Sequence, residues 1–122
     1  LSRLETDLVD IFHACMSGTL GQIELKWNSK PSVTVVLASR GYPGTSEKDV
    51  VINGLDTLEA DTYLYHAGSK LVDEQILTNG GRVLAVTRLG DTLEQARNAV
   101  YKEVMKIHFA GMQYRTDIGK IE

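Results

Sequence analysis

Cysteine is almost absent from this chain. Cys15 is the single one in 122 residues, so no disulfide can close within it. That suits a reducing compartment, and a cytoplasmic location is the expectation. No histidine or cysteine pair has zinc-ligand spacing, and no metal ligand is expected among these residues. No apolar run approaches the roughly 18 residues of a membrane-spanning helix, and no signal-peptide apolar region is present. A membrane partner is not expected. Cations are not in excess either: 13 Lys and Arg stand against 16 Asp and Glu, a formal net charge of -3. A nucleic-acid binder would carry a basic surplus, so no nucleic-acid partner is expected. Neither a Walker A loop nor a G-x-S-x-G turn occurs, nor any internal repeat.

What is present is ordinary globular composition, with 43% hydrophobic and 24% charged residues. A chain of this length fits one domain and can bury roughly two-thirds of its unfolded surface. It opens on Leu1 within a helical pattern, and we expect it to be part of a longer protein. Leu4, Leu8, Ile11, Phe12 and Cys15 recur at helical spacing up to Met16, and Ser17-Gly18 ends that helix. Ile23, Leu25 and Trp27 then alternate with Glu24 and Lys26, which predicts a strand. Asn28-Ser29-Lys30-Pro31 is a turn, and the β-branched run Ser32 to Ser39 predicts a second strand that pairs with the first as a hairpin.

Further short strands are expected at Val50–Ile52 and Tyr63–Ala67. Glu74–Leu77 and Arg82–Leu89 flank Asn79-Gly80-Gly81, which reads as a hairpin turn. Thr92 and Gln95 form a capping-box pair ahead of a helix. Its apolar stripe is Leu93, Ala96, Val100, Val104 and Ile107, with Glu94, Arg97, Lys102 and Glu103 expected to face water. The whole reads as an α+β domain: short antiparallel strands and one packed C-terminal helix, preceded by a short N-terminal helix.

Four segments carry glycine at strand breaks: Ser39-Arg40-Gly41-Tyr42-Pro43-Gly44, His66-Ala67-Gly68-Ser69-Lys70, Asn79-Gly80-Gly81-Arg82 and Arg115-Thr116-Asp117-Ile118-Gly119. Glycine permits close backbone approach, turn amides form anion-binding concavities, and a guanidinium matches a phosphate. The pattern points to a phosphorylated small molecule, although Asn-Gly-Gly is also plain turn chemistry. Met105-Lys106 has a faint likeness to a biotin-accepting hairpin tip, but its helical surroundings argue against a carrier.

In order, the segments Leu4–Leu8, Val33–Gly44, Tyr65–Gly68, Thr78–Leu84, Gly90–Leu93, Ile107–Phe109, Gly111-Met112 and Tyr114–Gly119 resemble the C-terminal region of the phosphoribosylamine–glycine ligase family. The resemblance covers essentially the whole chain. Arg40 and Ser69 stand where the family pattern leads one to expect Lys and Thr. It implies that residues 1–20 are the end of an ATP-grasp domain and that 21–122 are the C-terminal ligase domain. It further implies an ATP-dependent enzyme of purine synthesis that uses Mg or Mn and forms a C–N bond. Glycine becomes an acyl phosphate, and the amine of phosphoribosylamine attacks it. The nucleotide-binding residues and metal carboxylates of the family lie upstream. No catalytic residue is therefore expected here, and neither ATP nor metal is expected to bind this part alone. The partners implied are the N-terminal and ATP-grasp domains of the same chain and the substrate phosphoribosylamine. On this resemblance Arg82 would be the main phosphate or ribose contact. Asn79, Gly80 and Gly81 would supply turn atoms, His66 and Gly68 a neighbouring wall, and Arg40, Gly41 and Tyr42 further contacts. Arg115 and Asp117 would instead pair to dock the tail. The alternative is an accessory domain that packs on an ATP-grasp core without touching ligand.

Overall fold

The structure is a computed structural model that describes residues 1–120. Its centre is a three-stranded antiparallel sheet in the order β1-β5-β2, where β1 is Ser32–Ala38, β2 Tyr63–His66 and β5 Arg82–Leu89. Directly opposed residues of antiparallel strands share a face. Val33, Val35 and Leu37 therefore sit beside Arg88, Val86 and Leu84 on one face, and Thr34 and Val36 beside Thr87 and Ala85 on the other. Helix α2 (Leu93–Val104) covers the first face with Ala96, Val100 and Val104, all fully buried. Ile107 and Phe109, just beyond the helix, complete that core. Each large apolar side chain buried there contributes roughly 1.5–3 kcal/mol. The second face stays open, with Val36, Tyr63 and Tyr65 exposed.

The α+β architecture, the run of β1 and the capped helix follow the sequence pattern. Thr92 accepts from the Gln95 amide, and Gln95 accepts from the Thr92 amide, each at 3.2 Å. Helix α1 (Leu8–Ser17) starts later than its periodicity suggested, because the Asp7 side chain caps it by accepting from the Val9 amide at 2.7 Å. It ends on Gly18 in the left-handed conformation (φ 68°). Leu4 lies outside the helix and bridges Trp27.

Two expected hairpins are not formed. Residues 23–27 make no strand, apart from that one bridge at Trp27, and β1 takes β5 as its partner instead. Asn79-Gly80-Gly81 does not fold β4 (Gln75–Thr78) onto β5. β4 pairs with β3 (Ser69–Val72), which sequence reasoning missed, in a separate two-stranded sheet. The turn between them is Asp73-Glu74, both residues at positive φ (46° and 64°), the pattern of a two-residue hairpin turn. Asn79-Gly80-Gly81 thus links two sheets. Val50–Ile52 runs along the outer edge of β4, with Ile52 N–H donating to Ile76 O and Thr78 N–H to Val50 O.

Glu103 does not face water. It is fully buried, and its Oε2 accepts from the Glu59 amide at 2.9 Å and the Thr62 hydroxyl at 3.3 Å, while Oε1 accepts from Lys106 Nζ at 2.7 Å. The buried Arg88 closes the network, bonding Glu59 Oε2 at 3.1 Å and Asp61 Oδ2 at 2.6 Å. Burial alone would push the Glu103 carboxyl up, but the Lys106 ammonium and the Glu59 amide hold it below the usual carboxylate range. Lys106 lies just past the helix end and is engaged by Glu103, not displayed on a hairpin tip. No helix of the described residues is long and apolar enough to cross a membrane.

Candidate functional site

The site begins with a break in strand register. Leu37 stands opposite Leu84, but Ala38 stands opposite Arg82, so Val83 is an extra residue in β5. Such a bulge re-aims the side chains beside it. Here Val83 is fully buried and Arg82 takes the place on the open face next to Ala38. Two adjacent hollows meet at this point. One, about 550 Å³, is lined by Tyr42, Pro43, Gly44, Ser46, Gly81 and Arg82 together with apolar side chains of the sheet. The other, about 410 Å³, is lined by Val36, Ala38, Tyr42, Arg82 and the tail residues Gln113, Tyr114 and Arg115. Tyr42 and Arg82 border both.

Glycines make this convergence possible by packing. A Cβ on Gly81 would lie 2.5 Å from Tyr42 Cδ2 and 3.0 Å from Ser46 Oγ. A Cβ on Gly68 would lie 2.7 Å from the Arg82 carbonyl oxygen and 2.9 Å from Gly80 Cα. The loop after β1, the loop after β2 and the Gly80-Gly81 link therefore lie in van der Waals contact. Hydrogen bonds lock them: Ser39 N–H donates to Gly81 O at 2.8 Å, Ser39 Oγ to Gly80 O at 2.9 Å, Gly68 N–H to Arg82 O at 2.8 Å and Asn79 N–H to Gly68 O at 2.7 Å.

Of the residues expected to contact ligand, Tyr42, Gly81 and Arg82 line the hollows. Gly68, Asn79 and Gly80 form the wall behind them through the contacts just given. His66 is exposed at the end of β2, its Nδ1 2.9 Å from Ser69 Oγ. Gly41 turns the loop at φ 88°. Arg40 points to Glu47 (Nε to Oε2, 3.6 Å) and against Gly111, outside both linings. Lys70 pairs with Asp49 at 2.5 Å. Arg115 makes a two-point pair with Asp117, at 2.9 and 2.6 Å, which raises the guanidinium pKa and lowers that of the carboxyl. Of the cations in the four glycine-bearing segments, Arg82 alone has no carboxylate within 4.0 Å among the described residues.

Sequence reasoning missed Gln113. Its carboxamide donates to Ser39 O at 2.8 Å and Tyr42 O at 3.1 Å, and its backbone pairs with Ala38 in both directions. No local signal marks it, because the tail has no period and its partners lie far back in the chain. Among the described residues no group of three or more His, Cys, Asp or Glu side chains could hold a metal ion.

The chain is similar to known proteins along most of its length. Residues 32–121 match the family model described as phosphoribosylglycinamide synthetase, C domain. The chain is 45% identical to the phosphoribosylamine–glycine ligase of Halalkalibacterium halodurans over 119 residues, covering 98% of this chain and 27% of that protein. It is likewise 45% identical to the enzyme of that name from Vibrio cholerae, again over 98% of this chain and 28% of the relative. It is 45% identical to a bifunctional purine biosynthetic protein of Dictyostelium discoideum, covering 98% of this chain and 15% of that protein. The crystal structure of phosphoribosylamine–glycine ligase from Thermotoga maritima superposes with a TM-score of 0.68 at 35% identity, over 87% of this chain and 27% of that one. The chain thus spans about a quarter of the length of the single-activity relatives it matches. On the match over residues 32–121, the chain belongs to the phosphoribosylglycinamide synthetase C-domain family.

Proposed function

We propose that this chain is the C-terminal part of a cytoplasmic phosphoribosylamine–glycine ligase of purine synthesis, and that it supplies one wall of the phosphoribosylamine site. The parent enzyme joins glycine to phosphoribosylamine at the expense of ATP, with Mg or Mn, forming a C–N bond. ATP and the cation belong to the domains that precede this one. Residues 1–20 are the end of the ATP-grasp domain and 21–122 the C-terminal domain. The exposed apolar side chains of α1, among them Val9, Phe12 and Met16, support that division, since such a face gains by burial against a neighbouring domain.

One observation carries the site: Arg82 stands at the junction of two hollows without a carboxylate partner among the described residues. An unneutralised guanidinium at the mouth of a hollow is fitted to a phosphate, whose paired oxygens match its planar fork. The chain's own part in the reaction is to bind and orient the phosphate-bearing amine, holding the attacking nitrogen toward a centre assembled elsewhere. No proton transfer is assigned to it. Arg82→Ala in the full-length ligase should raise the KM for phosphoribosylamine by at least about tenfold with little change in kcat, the signature of lost binding. An unchanged KM removes Arg82 from the site.

A further inference from the structure

Arg115 stood outside the residues expected to touch ligand, and its pairing with Asp117 suggested a role in tail docking alone. The structure gives it a second property. It lines the 410 Å³ hollow together with Arg82, from the tail of the chain. We infer that Arg115 is a specificity-determining contact of the same site, gripping with Arg82 one phosphate monoester, so that the tail segment from Gln113 to Asp117 is part of the ligand site and not only a strap. The inference rests on the reading of Arg82 given above.

Three observations support it. First, Arg115 is largely exposed, with 73% of its side chain accessible, yet it is held. Asp117 takes its Nε and Nη2 edge, which leaves Nη1 with no partner among the described residues. An exposed arginine normally loses much rotamer freedom when it binds, and a brace that orders it beforehand lowers that cost. Second, the backbone is ordered as well. The Tyr101 hydroxyl donates to Arg115 O at 2.7 Å and accepts from the Ile118 amide at 3.1 Å, tying the tail to α2 on both sides of Arg115. The neighbouring Arg97 donates to Thr116 O at 2.9 Å. A tail needed only for docking is already held by these bonds and by the Gln113 pairing, so the Arg115–Asp117 brace is free for another task. Third, the ligand class follows from charge. A monoester phosphate carries close to two negative charges and three terminal oxygens. One fork takes two of those oxygens, and a second guanidinium takes the third. A carboxylate or a diester satisfies only one of the two. Asp117 keeps the local charge from becoming so positive that any anion is captured.

The test uses the full-length ligase and its product, glycinamide ribonucleotide, with the phosphate-free riboside as a second probe. Titration calorimetry gives Kd for the enzyme and for Arg115→Ala, Arg115→Lys, Arg82→Ala and the double variant, with thermal melting to confirm that each folds. Arg115→Ala should weaken the ribonucleotide about tenfold and leave the riboside unchanged. Arg115→Lys, which keeps the charge but not the fork, should recover only part of that loss. The double variant should lose less than the product of the single losses, because the two side chains share one phosphate. If Arg82→Ala weakens the ribonucleotide and Arg115→Ala does not, this inference is overturned and the Arg82 site stands. If both variants bind as the parent does, both readings fail. If Arg115→Ala weakens riboside and ribonucleotide equally, its effect is structural and the phosphate contact is wrong.

Discussion

The side chain of Gln113 donates to the Ser39 carbonyl at 2.8 Å, across 74 residues of sequence. Ser39 is itself buried and bonded to Gly80 and Gly81, so this one carboxamide joins the tail, the loop after β1 and the link that leads to Arg82. The same nitrogen also reaches the Tyr42 carbonyl. The position of Tyr42 over the hollows is therefore set from three separate stretches of chain.

Gln113→Ala removes two hydrogen bonds and should cost about 1–3 kcal/mol, since the Ser39 carbonyl is left without that donor. The more telling readout is local. The Tyr42 amide donates to Ser39 O at 3.2 Å and should exchange with solvent faster in the variant, while the β1 and β5 amides keep their protection. Equal exchange at Tyr42 in both proteins would mean that Gln113 does not hold the loop.

Gly81→Ala adds one methyl group where Tyr42 already lies. Tyr42 lies within the loop after β1 with its side chain partly exposed, so the ring has room to turn, and the expected cost is at the lower part of the ~1–3 kcal/mol range for overpacking. The ring must leave its place between the hollows. Binding of the phosphorylated ligand should weaken more than the melting temperature falls. A variant that melts lower but binds as well as the parent would show that Tyr42 takes no part in the site.

Glu103→Ala takes from Lys106 its nearest carboxylate and from the Glu59 amide and Thr62 hydroxyl their acceptor, while Arg88 keeps Glu59 and Asp61, and should destabilise the fold by about 1–3 kcal/mol in urea titration. The pH dependence has a definite sign. The native carboxyl is held below its ordinary value, so its contribution is whole above the ordinary carboxylate range. It is lost as pH falls through the lowered native value. Glu103→Gln, which cannot titrate, should be less stable at neutral pH, and that difference should shrink on acidification. A constant gap between the two across that range would show that Glu103 does not titrate with folding.

Much of this fold was legible because its signals are local. The β-branched run of β1, the Thr92–Gln95 box and the Gly18 cap each lie within a few residues, and each appears where its chemistry puts it. The failures share one cause. Asn79-Gly80-Gly81 has good turn chemistry, but pairing of β4 with β3 and of β5 with β1 overrides it. Ile23 to Trp27 alternates well, yet it does not pair with β1; it meets residues 3–6 instead, through the Leu4–Trp27 bridge and the Glu5 amide, which donates to Lys26 O at 2.9 Å. Glu103 reads as a surface residue on the helical wheel. Its partners Glu59, Thr62 and Arg88 come from distant segments, and nothing near it announces them. At the site Arg82, which lines both hollows, was singled out because it follows two glycines. Gln113 and the bulge at Val83 were not, since both exist only through long-range register.

The pairing of β1 with β5 has a consequence for how the chain is made. Thr34 and Thr87 join hydroxyls at 2.7 Å across 53 residues of separation. The edge of β1 that meets β5 stays bare during synthesis until β5 has left the ribosome, and closing so long a loop slows the search. A message that stops anywhere before Leu89 would release a β-branched strand with unsatisfied amides, well suited to pair with its own copies. Soluble expression of this domain is thus expected to tolerate trimming after Ile118 far better than any cut between Ala38 and Leu89.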